Sequence, residues 1–117
     1  MFVAYVVLAV LLAAALAMSA ALKLRKAERS VEGIHGVVGV PLSWFPYLAA
    51  CELAGAVGLL VGIAWAPIGI AAAIGVILYM LSAIAAHVRV ADHAGIITPL
   101  VLLAVAVAAL VTRTLSA

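Results

Sequence analysis

Four long apolar runs decide what this chain can fold into. They cover, approximately, residues 2–22, 44–63, 67–87 and 95–111. A helix needs about 20 apolar residues to cross the hydrocarbon core of a bilayer; the fourth run, which contains Pro99, is the shortest. Because backbone polar groups in lipid must be satisfied internally, each run is predicted to be a helix. We therefore expect a single all-α domain over residues 1–117, an integral membrane four-helix bundle with up-down topology.

The composition supports lipid as the solvent. Of the 117 residues, 71% are hydrophobic and 9% are charged, whereas a soluble domain is about half apolar and a quarter charged. The net charge of +2 and the lack of basic clusters with interleaved aromatic residues argue against a nucleic-acid partner. The single cysteine, Cys51, excludes an intrachain disulfide.

The basic residues predict the orientation. Four of them follow the first run: Lys23, Arg25, Lys26 and Arg29. Arg89 follows the third run, and the opposite side has only Arg113. Positive residues favour the cytoplasmic side, so both termini are expected to face outward, in what we interpret as a bacterial cytoplasmic membrane. Since the charges follow the first run instead of preceding it, we interpret that run as a retained span, not a cleaved signal peptide.

The loop between the first two spans has its own pattern. Val31, Ile34 and Val38 recur at helical spacing in "AERSVEGIHGVVGVP". This spacing predicts a short amphipathic helix on the membrane surface.

Glu52 is anomalous, because it is a carboxylate inside the apolar run "YLAACELAGAVGLLVG". Eight residues after Trp44, it is expected about 12 Å below the cytoplasmic interface, at 1.5 Å per residue. An unpaired carboxylate at such depth is costly, so we predict a polar cluster. Lys23 at the end of the first span is the preferred partner. The rival partners are Arg25, His87 and Arg89.

Three roles for this cluster remain open from the residues themselves. The first role is a structural ion pair. The second is a site in which Glu52, His87 and Lys23 bind a quinone or lipid head group, and the third is a path for protons or ions. Asp92 and His93 lack a defined metal-ligand spacing, so no metal is predicted. The histidines do not form a pair deep in facing spans, which disfavours haem, and no catalytic motif indicates a stand-alone enzyme.

Several segments together resemble the DoxX-like family of small four-span membrane proteins. They are "SAALKL", "GVP", "CELAGAVGLLVG" and "MLSAIAAHVR", which place Lys23, Gly39 to Pro41, Glu52 and His87 at the positions typical of the family. The resemblance covers nearly the whole chain. The small residue before the lysine, often glycine in the family, is alanine here.

The resemblance implies a four-helix bundle and an association with redox or thiol-stress complexes, since the family is named after a subunit associated with a thiosulfate–quinone oxidoreductase. We expect an accessory subunit, or a partner-binding component of a larger membrane complex, that binds a membrane protein or forms a homo-oligomer. The alternative is a quinone- or lipid-binding component of a membrane oxidoreductase. A proton-coupled transporter ranks last, because small multidrug transporters have their glutamate in the first span.

Overall fold

The computed structural model describes the backbone of residues 1–117 and every side chain except that of Arg29, one of the four predicted topology charges. The helices are α1 (Phe2–Leu24), α2 (Glu28–Ser30, continued by a π-helix over Val31–Val37), α3 (Phe45–Val61), α4 (Ala66–Arg89) and α5 (Ile97–Ser116). Single 3₁₀ turns over Leu42–Trp44 and Ala94–Ile96 lead into α3 and α5. The predicted all-α class is confirmed.

Four helical segments are long and apolar enough to cross a membrane. With their leading turns they contain 20 to 24 residues, about 30 to 36 Å at 1.5 Å per residue, which matches the hydrocarbon core of a bilayer. Their outward faces expose large apolar side chains, such as Val3 (75% exposed), Leu11 (61%) and Leu78 (60%). An apolar outer surface of this kind belongs in lipid, and the protein is an integral membrane protein.

Each long helix packs against two others: α1 and α4 both contact α3 and α5. The Tyr5 hydroxyl near the start of α1 donates a hydrogen bond to the Leu59 carbonyl near the end of α3, at 2.7 Å. Lys23 at the end of α1 contacts Glu52 in the first half of α3. Opposite ends of α1 and α3 therefore meet, as expected of antiparallel neighbours. The direction in which each helix crosses the bilayer stays a prediction.

The helices approach closely where glycine replaces a side chain. A Cβ added to Gly62 would overlap the backbone of Gly69 and the Tyr5 hydroxyl, and one added to Gly58 would overlap Ala72. Gly58 and Gly62, a GxxxG pair at the end of α3, thus form the seam with α4, as small residues do in membrane helices. Around this seam lies a core built mainly from Tyr5, Leu12, Leu16, Leu59, Val76 and Met80.

The connector, which we define as residues 28–40, is helical where the sequence predicted a short helix. Its π-helix ends near Gly39, whose positive φ of 87° suits glycine. Val38 is buried, and Ile34 and Val38 both line a cavity of the bundle. The apolar face of the connector therefore covers protein; its position at the membrane surface stays a prediction.

Helix α5 continues to Ser116, five residues beyond the end at 111 that the apolar run predicted. Thr112 and Arg113 are buried although they are polar. The Thr112 hydroxyl donates to the Ala108 carbonyl at 2.8 Å, and Arg113 Nε donates to the Gly62 carbonyl at 2.8 Å. Because these partners satisfy the polar groups, the helix packs past the point where its apolar pattern stops.

Candidate functional site

The buried stripe of α1 leads directly to Lys23. The buried residues recur every three or four positions, which is one face of a helix: Tyr5, Ala9, Leu12, Leu16, Ala20 and Lys23. The stripe of α3 has the same spacing and includes Glu52, between Ala49 and Ala56. Helix periodicity therefore points both charged side chains at the interior.

Lys23 and Glu52 form an ion pair inside the bundle. Lys23 Nζ lies 2.8 Å from Glu52 Oε1, and the two side chains are 8% and 2% exposed. The ammonium also donates a hydrogen bond of 2.6 Å to Ser19 Oγ, one turn earlier on α1. This geometry holds the ammonium in place and removes two unpaired charges from the low-dielectric interior.

The hydrogen bonding of Glu52 is incomplete. Its Oε1 is within ion-pair distance of Lys23, yet among the described side chains none gives this buried oxygen a hydrogen bond of good geometry. The Tyr79 hydroxyl on α4 lies near enough to interact with the carboxylate. A buried carboxylate with spare acceptor capacity is costly, so this group is equipped to accept a further donor.

His87 has a partner of its own at the end of α4. His87 Nδ1 lies 2.8 Å from Asp92 Oδ2, and Asp92 Oδ1 accepts a hydrogen bond of 3.2 Å from the Gly95 backbone N–H. A side chain at Gly95 would overlap both partners. The carboxylate thus fixes the orientation of the imidazole. Sequence reasoning named both His87 and Asp92 but did not pair them; the signal for the pair was the place of Asp92 in the tight turn after the helix.

Arg89 is not part of this group. It is exposed and does not line either cavity described below. Two residues along a helix correspond to a rotation of about 200°, so His87 and Arg89 point to opposite sides of α4.

A cavity of about 530 Å³ brings the other three candidates together, because Lys23, Glu52 and His87 all line it. Its walls also include Trp44, Tyr79 and the connector residue Ile34. Its size lies in the range of small-molecule sites, which are mostly apolar with a few convergent polar groups. We call it the head cavity.

A second cavity of about 650 Å³ lies between α3 and α4. Its walls are mostly apolar and include several small residues, among them Gly55, Gly58 and Gly75. Four residues line both cavities: Cys51, Glu52, Tyr79 and Ser82. We call it the α3–α4 groove, and Glu52 stands at its boundary with the head cavity.

A second polar cluster, which sequence reasoning missed, lies at the other end of the bundle. Besides its bond to Gly62, Arg113 lies over the rings of Phe2 and Tyr5, with its Cζ 5.3 and 5.5 Å from their centroids. Its Nη1 donates to Ser116 Oγ at 3.0 Å. The guanidinium satisfies a carbonyl at the C-terminus of α3, where the helix dipole favours a cation, and this explains why an arginine is buried there.

Within the part of the chain whose side chains are described, no group of three His, Cys, Asp or Glu residues is placed to hold an ion.

Fold and site together define a small four-span integral membrane protein with a buried ion pair beside an internal cavity. The sequence model of the DoxX-like family matches residues 7–109, a range that includes Lys23, Glu52 and His87. The chain belongs to the DoxX-like family. Comparisons with curated proteins and with solved structures gave no match.

Proposed function

We propose that this protein is a membrane component that binds the polar head of an amphipathic small molecule, a quinone or a lipid, in the head cavity. The observation that carries the proposal is the buried Lys23–Glu52 pair in the wall of a cavity of about 530 Å³. Ion pairs that only join helices need no adjoining space. Here the same pair offers a donor and an acceptor to whatever occupies the cavity.

The chemistry assigns a role to each polar group. The Lys23 ammonium donates to a carbonyl oxygen of the head, and the Glu52 carboxylate holds that ammonium in the bundle instead of letting it turn toward the interface. His87, oriented by Asp92, presents its second ring nitrogen, Nε2, for a further hydrogen bond.

Tryptophan fluorescence tests the proposal directly. Trp44 lines the head cavity, whereas Trp65 does not line either cavity. A Trp65→Phe variant in lipid nanodiscs has Trp44 as its single tryptophan, and a tail-free dimethoxy-methyl-benzoquinone serves as a quenching probe. We expect saturable quenching that Glu52→Gln and Lys23→Met each weaken by about tenfold, the typical effect of losing a charged hydrogen bond.

The matched control is Trp44→Phe, which leaves Trp65 as the reporter. Quenching of Trp65 should rise linearly with the concentration of the probe, because this tryptophan reports only the partition of the probe into the lipid. Identical saturation curves for the Trp44 reporter with and without the Glu52→Gln change would reject the head-group site.

An accessory role in a larger membrane complex is the second candidate. Ala54, Ala71 and Gly75 are exposed side by side at the α3–α4 groove, and small residues let a partner helix approach closely. Purification in a mild detergent followed by mass spectrometry would detect a stoichiometric protein partner. A partner lost in Gly75→Phe but retained in Ala104→Phe, an exposed position on α5, would favour this role.

A further inference from the structure

Glu52 faces more than one space. The carboxylate lines the head cavity and also the α3–α4 groove, and its side chain is 2% exposed. Lys23 pairs with Oε1, but this oxygen lacks a well-aligned hydrogen bond from the side chains that the structure describes. The terminal torsion of a glutamate is soft, so a small rotation presents either oxygen to an incoming donor.

The groove continues from this carboxylate as a strip of apolar surface. Along α4 its walls run from Ser82 to Ile68, which is about 21 Å at 1.5 Å per residue. Gly55 and Gly58 in its walls are packed against Val76 and Ala72, whereas Gly75 is not covered. A Cβ added to Gly75 would have nothing within 4 Å, so the groove is open at that point.

A partner helix would fill this space with apolar atoms and would not supply the well-aligned hydrogen bond that Glu52 Oε1 lacks. A narrow apolar strip that ends at a buried acceptor instead matches a single hydrocarbon chain with a hydroxyl at one end. Donation to the carboxylate supplies the missing hydrogen bond, and the chain covers the strip.

Building on the proposed function, we infer that the occupant is a single-chain amphiphile whose head donates a hydroxyl hydrogen bond to Glu52. Its tail lies in the α3–α4 groove, so the molecule enters sideways from the bilayer between these helices. Hydroquinones and lipid alcohols share this chemistry.

Competition against the benzoquinone probe at Trp44 tests both halves of the inference. The competitors are dodecanol, which has a hydroxyl donor, and methoxydodecane, which has the same tail and no donor. Concentrations are expressed as mole fractions in the nanodisc lipid. Dodecanol should displace the probe at a mole fraction about tenfold lower than methoxydodecane, given the strength of hydrogen bonds to charged groups. para-Dodecylphenol identifies the source: stronger displacement than dodecanol favours a hydroquinone, and weaker displacement favours a lipid alcohol.

Gly75→Phe fills the groove and should raise the half-displacing mole fraction of dodecanol about tenfold. Ala104→Phe, the exposed control on α5, should leave it unchanged. Direct binding of the tail-free probe should be the same in both variants, which shows that each one folds.

Two results would overturn the inference while the head-group site stands: equal potency of the alcohol and its ether, or unchanged displacement in Gly75→Phe. A probe that fails to bind the wild-type protein saturably would overturn the proposed function and this inference together.

Discussion

We expect the two single substitutions that break the Lys23–Glu52 ion pair to lower stability by different amounts. At 2.8 Å and an effective dielectric constant of 20, the Coulomb attraction is about 6 kcal/mol. Part of it offsets the desolvation of the two ions. Removing one partner of a buried pair typically costs about 3–5 kcal/mol, because the other charge is left without compensation.

The place of the remaining charge along its helix decides which single substitution lowers stability more. Lys23→Met leaves the Glu52 carboxylate fixed in the first half of α3, so we expect a loss of about 3–5 kcal/mol. Glu52→Gln leaves a lysine one residue before the end of α1, and its long side chain can extend to the interface. We therefore expect a loss nearer 1–2 kcal/mol, within the usual range of single substitutions.

The double variant separates coupling from general damage. With both charges removed, the cost should fall well below the sum of the single costs, because buried pairs replaced by uncharged groups are often close to neutral. The assay is reversible unfolding by sodium dodecyl sulfate in mixed micelles, followed by far-ultraviolet circular dichroism. Arg25→Met, at an exposed position directly after α1, serves as the control and should change stability by less than about 0.5 kcal/mol.

Additivity would refute this reasoning. If the double variant loses the sum of the single losses within about 0.5 kcal/mol, the two residues are not coupled. An equal loss from each single substitution would contradict the argument about position.

The opposite end of the bundle gives three further predictions, measured by the same unfolding assay. Gly62→Val should destabilise by about 3 kcal/mol or more, because its side chain would overlap Gly69 and Tyr5 at the tightest helix contact; wild-type stability would contradict that contact. Tyr5→Phe should cost about 1 kcal/mol, because it removes the hydroxyl that donates to Leu59, and an unchanged midpoint would contradict the bond. Arg113→Leu should cost about 1.5–3 kcal/mol, since it leaves the Gly62 carbonyl without its charged donor, and Arg113→Lys should recover only part of this loss.

The sequence was informative where a single residue broke a strong pattern. Glu52 stood out because lipid makes every buried charge expensive, and that cost implied a partner before any contact was known. Alternation of the spans then brought Lys23 and His87 to the same level. Three of the four candidate residues line one cavity in the structure for this reason.

The remaining features depended on contacts between backbones. Arg113 had the sequence signal of an ordinary flanking charge, and its burial follows from the Gly62 carbonyl that lies within its reach. Asp92 reaches His87 because the chain turns at Ala91, which has a positive φ of 57°. An alanine in the sequence does not predict this conformation. Arg89 was a plausible partner by proximity alone, and the phase of the helix points it away.

The cavities were the least predictable feature. The apolar connector residues Ile34 and Val38 have helical spacing in the sequence, but spacing does not say whether they face lipid or protein. In the structure they form part of the wall of the head cavity. Small residues favour close packing of membrane helices, and this occurs at Gly62; at Gly75 the same residue type leaves open space.

The most direct test of the account is native mass spectrometry of the protein purified in a mild detergent, with the Lys23→Met/Glu52→Gln double variant beside it. We expect a small amphipathic molecule to be bound to the wild-type protein and lost from the double variant, while both keep the same helical content. Equal occupancy by that molecule in the two proteins would contradict the claim that the buried ion pair recognises its head group.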